Sequence, residues 1–284
     1  MARIEKLVIV GVGLIGGSFA LALKAVGAVG RGAKNIARAL DLKIIDAAGA
    51  LDATTLADAG LVLLAVPVGQ MPSVMRSLAP LLGGRTIVTD AGSTKQDVVE
   101  LARRELGGSI ARFVPGHPIA GTEKSGAEAA FAGLYRGRKV VLTPLPENDP
   151  NAVAWVRGAW EQCGARVFEM KPEEHDIVLA SVSHLPHALA FVLVDLIAQQ
   201  MNAEQLFSYA AGGFRDFTRI ASSSPEMWRD ICLANRKALL AEIDRYRGGL
   251  DEIRAILERR DAKALDALFS GARDARERWL KDGQ

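Results

Sequence analysis

Up to about residue 170, short apolar runs alternate with amphipathic stretches. Residues 6–10, 61–66, 86–89, 112–114, 139–142 and 166–169 are rich in β-branched residues or leucine and bounded by glycine, proline or charge, which predicts strands. Between them, residues 14–26, 71–82, 95–106 and 151–163 repeat apolar side chains at helical spacing. Strands alternating with crossover helices predict a largely parallel sheet covered on both faces. From Pro172 onward the strand signal stops. Residues 174–183, 186–201, 203–212, 225–251 and 262–281 are rich in alanine and leucine and read as helices. The pattern predicts an α/β domain over residues 1–170, a doubly wound Rossmann-like sheet, followed by an all-helical domain over residues 171–284. Interleaved charges over 236–260 and 273–281 mark solvated helix faces.

Composition narrows the function classes. The 284 residues carry a net charge of +2, with 49% apolar and 24% charged side chains, which is ordinary for a soluble globular protein. No long basic run provides the electrostatic footprint of nucleic-acid binding. The two cysteines, Cys163 and Cys232, fit neither a disulfide framework nor a metal spacing, and are expected to be reduced, buried thiols of a cytoplasmic protein. The amino terminus lacks the apolar core and cleavage site of a signal peptide. The most apolar long stretch, 177–198, contains His184, Pro186, His187 and Asp195, which are costly in a bilayer. It is expected to be a buried helix between subunits or domains, with no membrane span.

Gly11-Val12-Gly13-Leu14-Ile15-Gly16 follows the first strand and opens the first helix. In that context the glycine spacing predicts a dinucleotide site. Gly11 permits the tight turn, Gly13 lets a pyrophosphate approach the backbone, and Gly16 lets helix and strand pack closely. Free N–H groups at the helix start, near Leu14 and Ile15, then hold the phosphates. An acidic residue ending a second strand is next expected, to hold the ribose, but the chain does not supply it clearly, and no four-residue apolar run lies between Arg31 and Asn35, where that strand should be. A truncated strand, or residues missing near Arg31, would account for this. The usual marker separating NAD from NADP is thereby lost, and NAD is placed ahead of NADP even though Arg31 could face a 2′-phosphate. Val66 and Pro67 end a later strand and are expected to border the nicotinamide half. Ser93 lies at the next strand end, where it is either a site residue or only the N-cap of the following helix.

Gly116-His117-Pro118-Ile119-Ala120-Gly121-Thr122-Glu123 reads as a loop that aims an imidazole into a cleft. Pro118 fixes its own φ, and the glycines tolerate unusual backbone geometry. Histidine suits proton transfer near neutrality, with an unperturbed pKa of about 6.5. A structural turn whose histidine merely caps a neighbour is the competing reading. In the helical half, Ser183-His184-Leu185-Pro186-His187 spaces two histidines three apart. No cysteine or carboxylate completes a metal set, and His184 alone reads as a core residue. Arg215 and Arg219 stand four apart, on one face if helical, and their planar guanidinium groups suit either salt bridges or a carboxylate ligand.

Six ordered motifs, at residues 11–17, 90–95, 117–126, 183–187, 212–219 and 227–230, make the chain resemble the prephenate and arogenate dehydrogenases of tyrosine biosynthesis over nearly its whole length. The segment around Arg31 departs from that pattern. The resemblance implies a nicotinamide cofactor on the Rossmann domain and a helical domain that builds a homodimer and part of the substrate pocket. It implies His117 as the group that takes the proton of the substrate's ring hydroxyl, with Ser93 supporting that hydroxyl and the histidine. Arg219 matches the arginine that binds a substrate carboxylate and His187 a substrate-contacting histidine. Glu123 and Asp216 match acidic residues at the pocket entrance, with Arg215 beside them. Hydride loss from the hydroxyl-bearing carbon builds positive charge that a neutral His117 would relieve by drawing off the proton. Loss of carbon dioxide then makes the ring aromatic. Two other readings share the plan: a β-hydroxyacid dehydrogenase or imine reductase, and a non-catalytic dinucleotide sensor. The first usually relies on a lysine that residues 183–219 lack, and the second has no need of His117, Ser93 and Arg219 together.

Overall fold

The alternation along the first half builds its core directly, as a computed structural model describing residues 6–23, 28–29, 33–121 and 124–282 shows. In chain order the first elements are β1 (Leu7–Val10), α1 (Leu14–Leu23), β2 (Ala28–Val29), α2 (Ala33–Asp41), β3 (Ala48–Gly49) and α3 (Ala53–Leu56). Next come β4 (Leu61–Leu64), α4 (Met71–Leu78), β5 (Ile87–Asp90), α5 (Gln96–Leu106), β6 (Phe113–Val114), β7 (Gly116–Pro118) and β8 (Lys139–Leu142). Then α6 (Pro150–Gln162), β9 (Arg166–Glu169), α7 (Pro172–Leu179), α8 (Leu185–Ala198), α9 (Ala203–Ser208) and α10 (Gly212–Thr218) follow. The last are α11 (Pro225–Ala234), α12 (Arg236–Glu258) and α13 (Ala262–Asp282).

Six parallel strands form one sheet in the order β3-β2-β1-β4-β5-β6. Every residue of β1 and β4 is buried, as parallel strands covered on both faces require. Alternate residues point to opposite sides. Leu7, Ile9, Leu61 and Leu63 join a core with Phe19 of α1 and Trp160 of α6. Val8, Val10, Val62 and Leu64 join another, with Met71, Met75 and Leu78 of α4. Phe19, Tyr135 and Trp160 meet edge to face, with Phe19 and Trp160 centroids 4.5 Å apart.

Several expectations are corrected. A second strand exists, at Ala28–Val29, before Arg31 rather than after it. Two residues of it are described; Arg31 itself lies outside the described residues. The strands at 139–142 and 166–169 do not extend the main sheet. They form a second sheet, β7-β8-β9, with β7 antiparallel and β9 parallel to β8. His117 therefore sits on a strand rather than in a loop, its Cα in register with Val141. Cys163 is buried as expected, but Cys232 is only partly so.

In the helical half, the two segments expected at 174–183 and 186–201 run as one helix. A π-helical turn at Ala180–His184 directly precedes Pro186, which falls in the first turn of α8. Conversely the single helix expected over 225–251 is broken at Asn235 (φ −96°, ψ 29°). There the Asn235 amide turns inward to the backbone carbonyl of Asp176 at 2.7 Å and His184 Nδ1 at 3.0 Å. The helix Pro172–Ala198 is long and apolar enough to cross a bilayer, with a mean hydropathy of 2.0, but only 28% of its most apolar window is buried. His175, Asp176 and His184 point inward, while Ile177, Val178, Val182, Val192 and Leu196 are exposed. The chain divides into two compact units, Met1–Arg236 and Lys237–Gln284; the second consists of α12 and α13, joined by a turn with Arg260 at φ 53°.

Candidate active site

Parallel strands bring their carboxyl ends to one edge, and the predicted cofactor residues lie there. Gly11 follows β1 at φ +104°, and a Cβ on it would strike the backbone of Ala65, just beyond β4, and approach Val66 Cγ1 at 3.1 Å. Gly16 is equally constrained, since its Cβ would strike the Gly11 carbonyl and lie 2.8 Å from Ile9 Cγ2. Gly13 differs: nothing lies within 4 Å of where its Cβ would stand. Packing thus explains two of the glycines, and the third leaves open space in front of the first turn of α1, at Leu14 and Ile15. This is the cradle that a pyrophosphate requires, so the turn fits a dinucleotide. Val66 and Pro67 are half-buried at the end of β4 and lead into the Val68–Gln70 turn. A Cβ on Gly69 would strike the Asp230 carboxylate, so α11 packs directly over that turn.

The neighbouring strand β5 ends on Asp90, which is fully buried and ion-paired to the equally buried Lys95 ammonium. Asp90 also accepts from the backbone N–H groups of Gly92 at 2.7 Å and Gly116 at 3.1 Å. Lys95 donates further to the Gly116 carbonyl at 2.7 Å. Both backbone groups of the residue preceding His117 are thereby held by one ion pair. Ser93 lies half-buried in the turn between Asp90 and Lys95. It is not the N-cap: that position is Lys95, whose side chain makes no cap. The cap comes from 81 residues away, where Asp176 of α7 accepts from Lys95 N–H at 2.8 Å and Gln96 N–H at 2.9 Å.

The His117 ring is held from the same place. Its Nδ1 lies 2.8 Å from Nε2 of His175, whose Nδ1 lies 2.8 Å from Asp176 Oδ1. All three side chains are buried. Burial, reinforced by neighbouring His175, Lys95 and His184, keeps the His117 imidazole well below the ordinary histidine value, so it is neutral at neutral pH. Burial lowers His175 too, against the opposing pull of Asp176. Burial works against ionisation of Asp176, but the hydrogen bonds from His175, Gln96 and Lys95 prevail and hold its carboxyl below the usual range. His184, pushed down to about 4 by burial, is the core residue expected, although its Nε2 has no hydrogen-bond partner among the described residues. Sequence reasoning missed His175 and Asp176. The only available signal was a His-Asp pair inside an apolar helix, and the cluster becomes visible only when α7 meets α5 and β7.

His187 is half-buried, stacks on Trp228 at 3.6 Å between centroids, and donates from Nδ1 to the Ser183 carbonyl at 2.8 Å. Burial lowers its pKa, and so does the nearby Arg219 charge, which brings these two expected substrate residues together. Arg219 is exposed in the single turn Arg219–Ser222 that follows α10. Arg215 and Asp216 are exposed on α10 itself, which ends at Thr218, so the two arginines do not share one α-helix. Glu123 lies outside the described residues.

Residues 19–169 match the family described as prephenate dehydrogenase, nucleotide-binding domain, and residues 171–271 match prephenate dehydrogenase, dimerization domain. A cyclohexadienyl dehydrogenase of Zymomonas mobilis is 37% identical, over 97% of this chain and 96% of its own. A prephenate dehydrogenase of Bacillus subtilis is 38% identical, over 96% of this chain and 76% of its own. The crystal structure of prephenate dehydrogenase from Aquifex aeolicus in complex with hydroxyphenyl propionate and NAD+ superposes with a TM-score of 0.90 at 38% identity, covering 96% of this chain and 98% of that one.

Two substitutions probe the site. Lys95→Met strands the buried Asp90 carboxylate and should lower the unfolding free energy in urea by about 3–5 kcal/mol. A loss below about 1 kcal/mol, typical of an exposed pair, would show that the ion pair does not hold the site. Gly13→Val fills open space only, so its melting temperature should stay within about 2 °C of the parent. Its affinity for NAD or NADP, followed by tryptophan fluorescence, should nevertheless fall more than about tenfold because the pyrophosphate can no longer approach.

Proposed function

The chain belongs to the prephenate dehydrogenase family, and we propose that it oxidises and decarboxylates prephenate, with arogenate as a second substrate, passing hydride to NAD or NADP in tyrosine biosynthesis. The observation that carries this reading is a buried, neutral His117 anchored beside the carboxyl-terminal edge of the sheet on which the glycine turn lies. The Gly11–Gly16 turn and the start of α1 would hold the cofactor's phosphates, with Val66 and Pro67 bordering its nicotinamide. Bound there, the oxidised nicotinamide supplies the hydride acceptor.

The remaining work falls to side chains. As hydride departs from the hydroxyl-bearing carbon and positive charge builds there, His117 accepts the proton from the hydroxyl oxygen, and Ser93 supports that hydroxyl. Arg219 orients a carboxylate of the substrate, and its exposed position suits the carboxylate farther from the buried histidine. His187, stacked on Trp228, forms the wall beside Arg219. Arg215, Asp216 and Glu123 belong to the entrance. A β-hydroxyacid-type dehydrogenase fits less well, because the group at the reacting position is a buried histidine whereas that class usually uses a lysine of the helical domain.

The test is absorbance of reduced cofactor on adding prephenate or arogenate with NAD or NADP. His117→Ala should lower turnover by at least about 10²-fold, the scale of general-base help, and unchanged turnover would defeat the assignment. Because the neutral imidazole is the active form and its pKa is depressed, activity should persist as pH falls past about 6.5 and be lost only below it. An acid limb centred above that value would contradict the burial described.

The protein is further proposed to act as a cytoplasmic homodimer. Both cysteines are free, and the exposed apolar face of Pro172–Ala198 belongs to the part of the chain matching the dimerization domain. Sedimentation equilibrium should give twice the chain mass of 30.3 kDa, and Val182→Asp should shift it toward the single chain. A parent protein that is monomeric at micromolar concentration would refute the dimer.

A further inference from the structure

Beyond binding and proton acceptance, the reaction needs His117 in one particular tautomer. A neutral imidazole carries a hydrogen on one nitrogen and a lone pair on the other, and only the lone pair can take a proton. In water the Nε2–H form is the more common, which would turn the wrong nitrogen toward a substrate hydroxyl. The environment must reverse that preference.

The hydrogen-bond chain behind His117 does so by a sequence of forced choices. Asp176 already receives two backbone N–H groups, from Lys95 and Gln96, which only an acceptor can do. Its Oδ1 therefore accepts from His175, so the hydrogen of His175 sits on Nδ1. With His175 neutral, its Nε2 is a lone pair. The contact at 2.8 Å then requires His117 to donate from Nδ1, which leaves Nε2 of His117 as the free base. We propose that His175 and Asp176 are positioning residues that set the tautomer of His117, with Asp176 also fixing the turn that carries Ser93 through its bonds to Lys95 and Gln96. One carboxylate on α7 thus references both proposed catalytic groups.

Among the described residues no other group facing these hydrogen bonds reverses the order. Lys95 Nζ is committed to Asp90 and the Gly116 carbonyl. His184 Nδ1 is taken by Asn235. Asp97 faces Thr94, and its carboxyl is raised by burial. Asp176 also caps α5, so its own substitution would confuse positioning with folding. His175 is the cleaner probe, and its side chain has no bond to the backbone in this network.

This inference rests on His117 being the proton acceptor, but its first test does not depend on turnover. The chain has 4 histidines, so nitrogen-15 labelling of histidine alone gives spectra that single substitutions assign. At pH 8 without substrate, His117 should show a protonated Nδ1 and a bare Nε2. His175→Leu should shift it toward the Nε2–H form and lower kcat on the order of 10–10²-fold, as loss of a partner behind a functional histidine commonly does, while KM changes less than about twofold. His175→Gln, whose Oε1 can still accept from Nδ1–H, should recover most of both signals. A parent His117 already carrying its hydrogen on Nε2, or a His175→Leu protein with unchanged tautomer and kcat, would overturn the proposal. The expected spectra in a protein that turns over neither prephenate nor arogenate would uphold the positioning and refute the assigned reaction instead.

Discussion

The ion pair between Lys95 and Asp90 is the constraint on which the site depends. Removing two charges from water is expensive, and the cost is recovered only where geometry is good and every remaining polar group is matched. Here Asp90 takes two backbone N–H groups in addition to the ammonium, and the ammonium takes the Gly116 carbonyl. The pair therefore ties the end of β5, the start of α5 and the start of β7 into one node. Such a node adds little net stability over apolar packing, but it admits few alternative arrangements. That is what a histidine needs if it is to meet a reacting atom within a fraction of an ångström.

Around the node, burial settles the chemistry. A histidine in water is half protonated near neutrality and serves poorly as a pure acceptor. Placing His117 on a buried strand, beside Lys95 and two other imidazoles, raises the cost of its charged form from several directions at once. The same burial would leave its Nδ1 unsatisfied, and His175 supplies the partner. Neutrality and orientation thus arise from one act of packing, the docking of α7 against α5 and β7. The π turn that follows lets Pro172–Ala198 carry His175 and Asp176 inward early and His187 to the wall with Trp228 later, without breaking the helix.

Legibility in the sequence followed locality. β1, β4, β8 and β9 were visible because each is a four-residue run whose neighbours break the pattern, and Gly11, Gly13 and Gly16 because their spacing expresses a local turn. The strand bearing His117 was not, since glycine and proline flank it and both argue for a loop; its pairing with β8 is a long-range choice. An N-cap was one of the two readings open for Ser93 because that rule is local, whereas the cap of α5, Asp176, arrives from 81 residues away. Asn235 looked like one polar residue inside a long helix, and only the buried acceptors at Asp176 and His184 reveal why the helix stops there. Groups that act through tertiary hydrogen bonds leave almost no mark on spacing.

The weakest signal in the chain is consistent with the rest on physical grounds. Among the described residues β2 pairs with β1 at Val29 and with β3 at Ala28 and Val29, and no carboxylate occurs in the sequence between Val29 and Asp41 to hold a ribose. Binding through the phosphates does not need that strand. It needs a turn held by Gly11 and Gly16, free space at Gly13 and the N–H groups of a helix start, all set by β1, β4 and α1. The reacting end in turn depends on β4, β5 and β7. The parts proposed to hold the phosphates and to move the proton are therefore supported by the middle of the sheet.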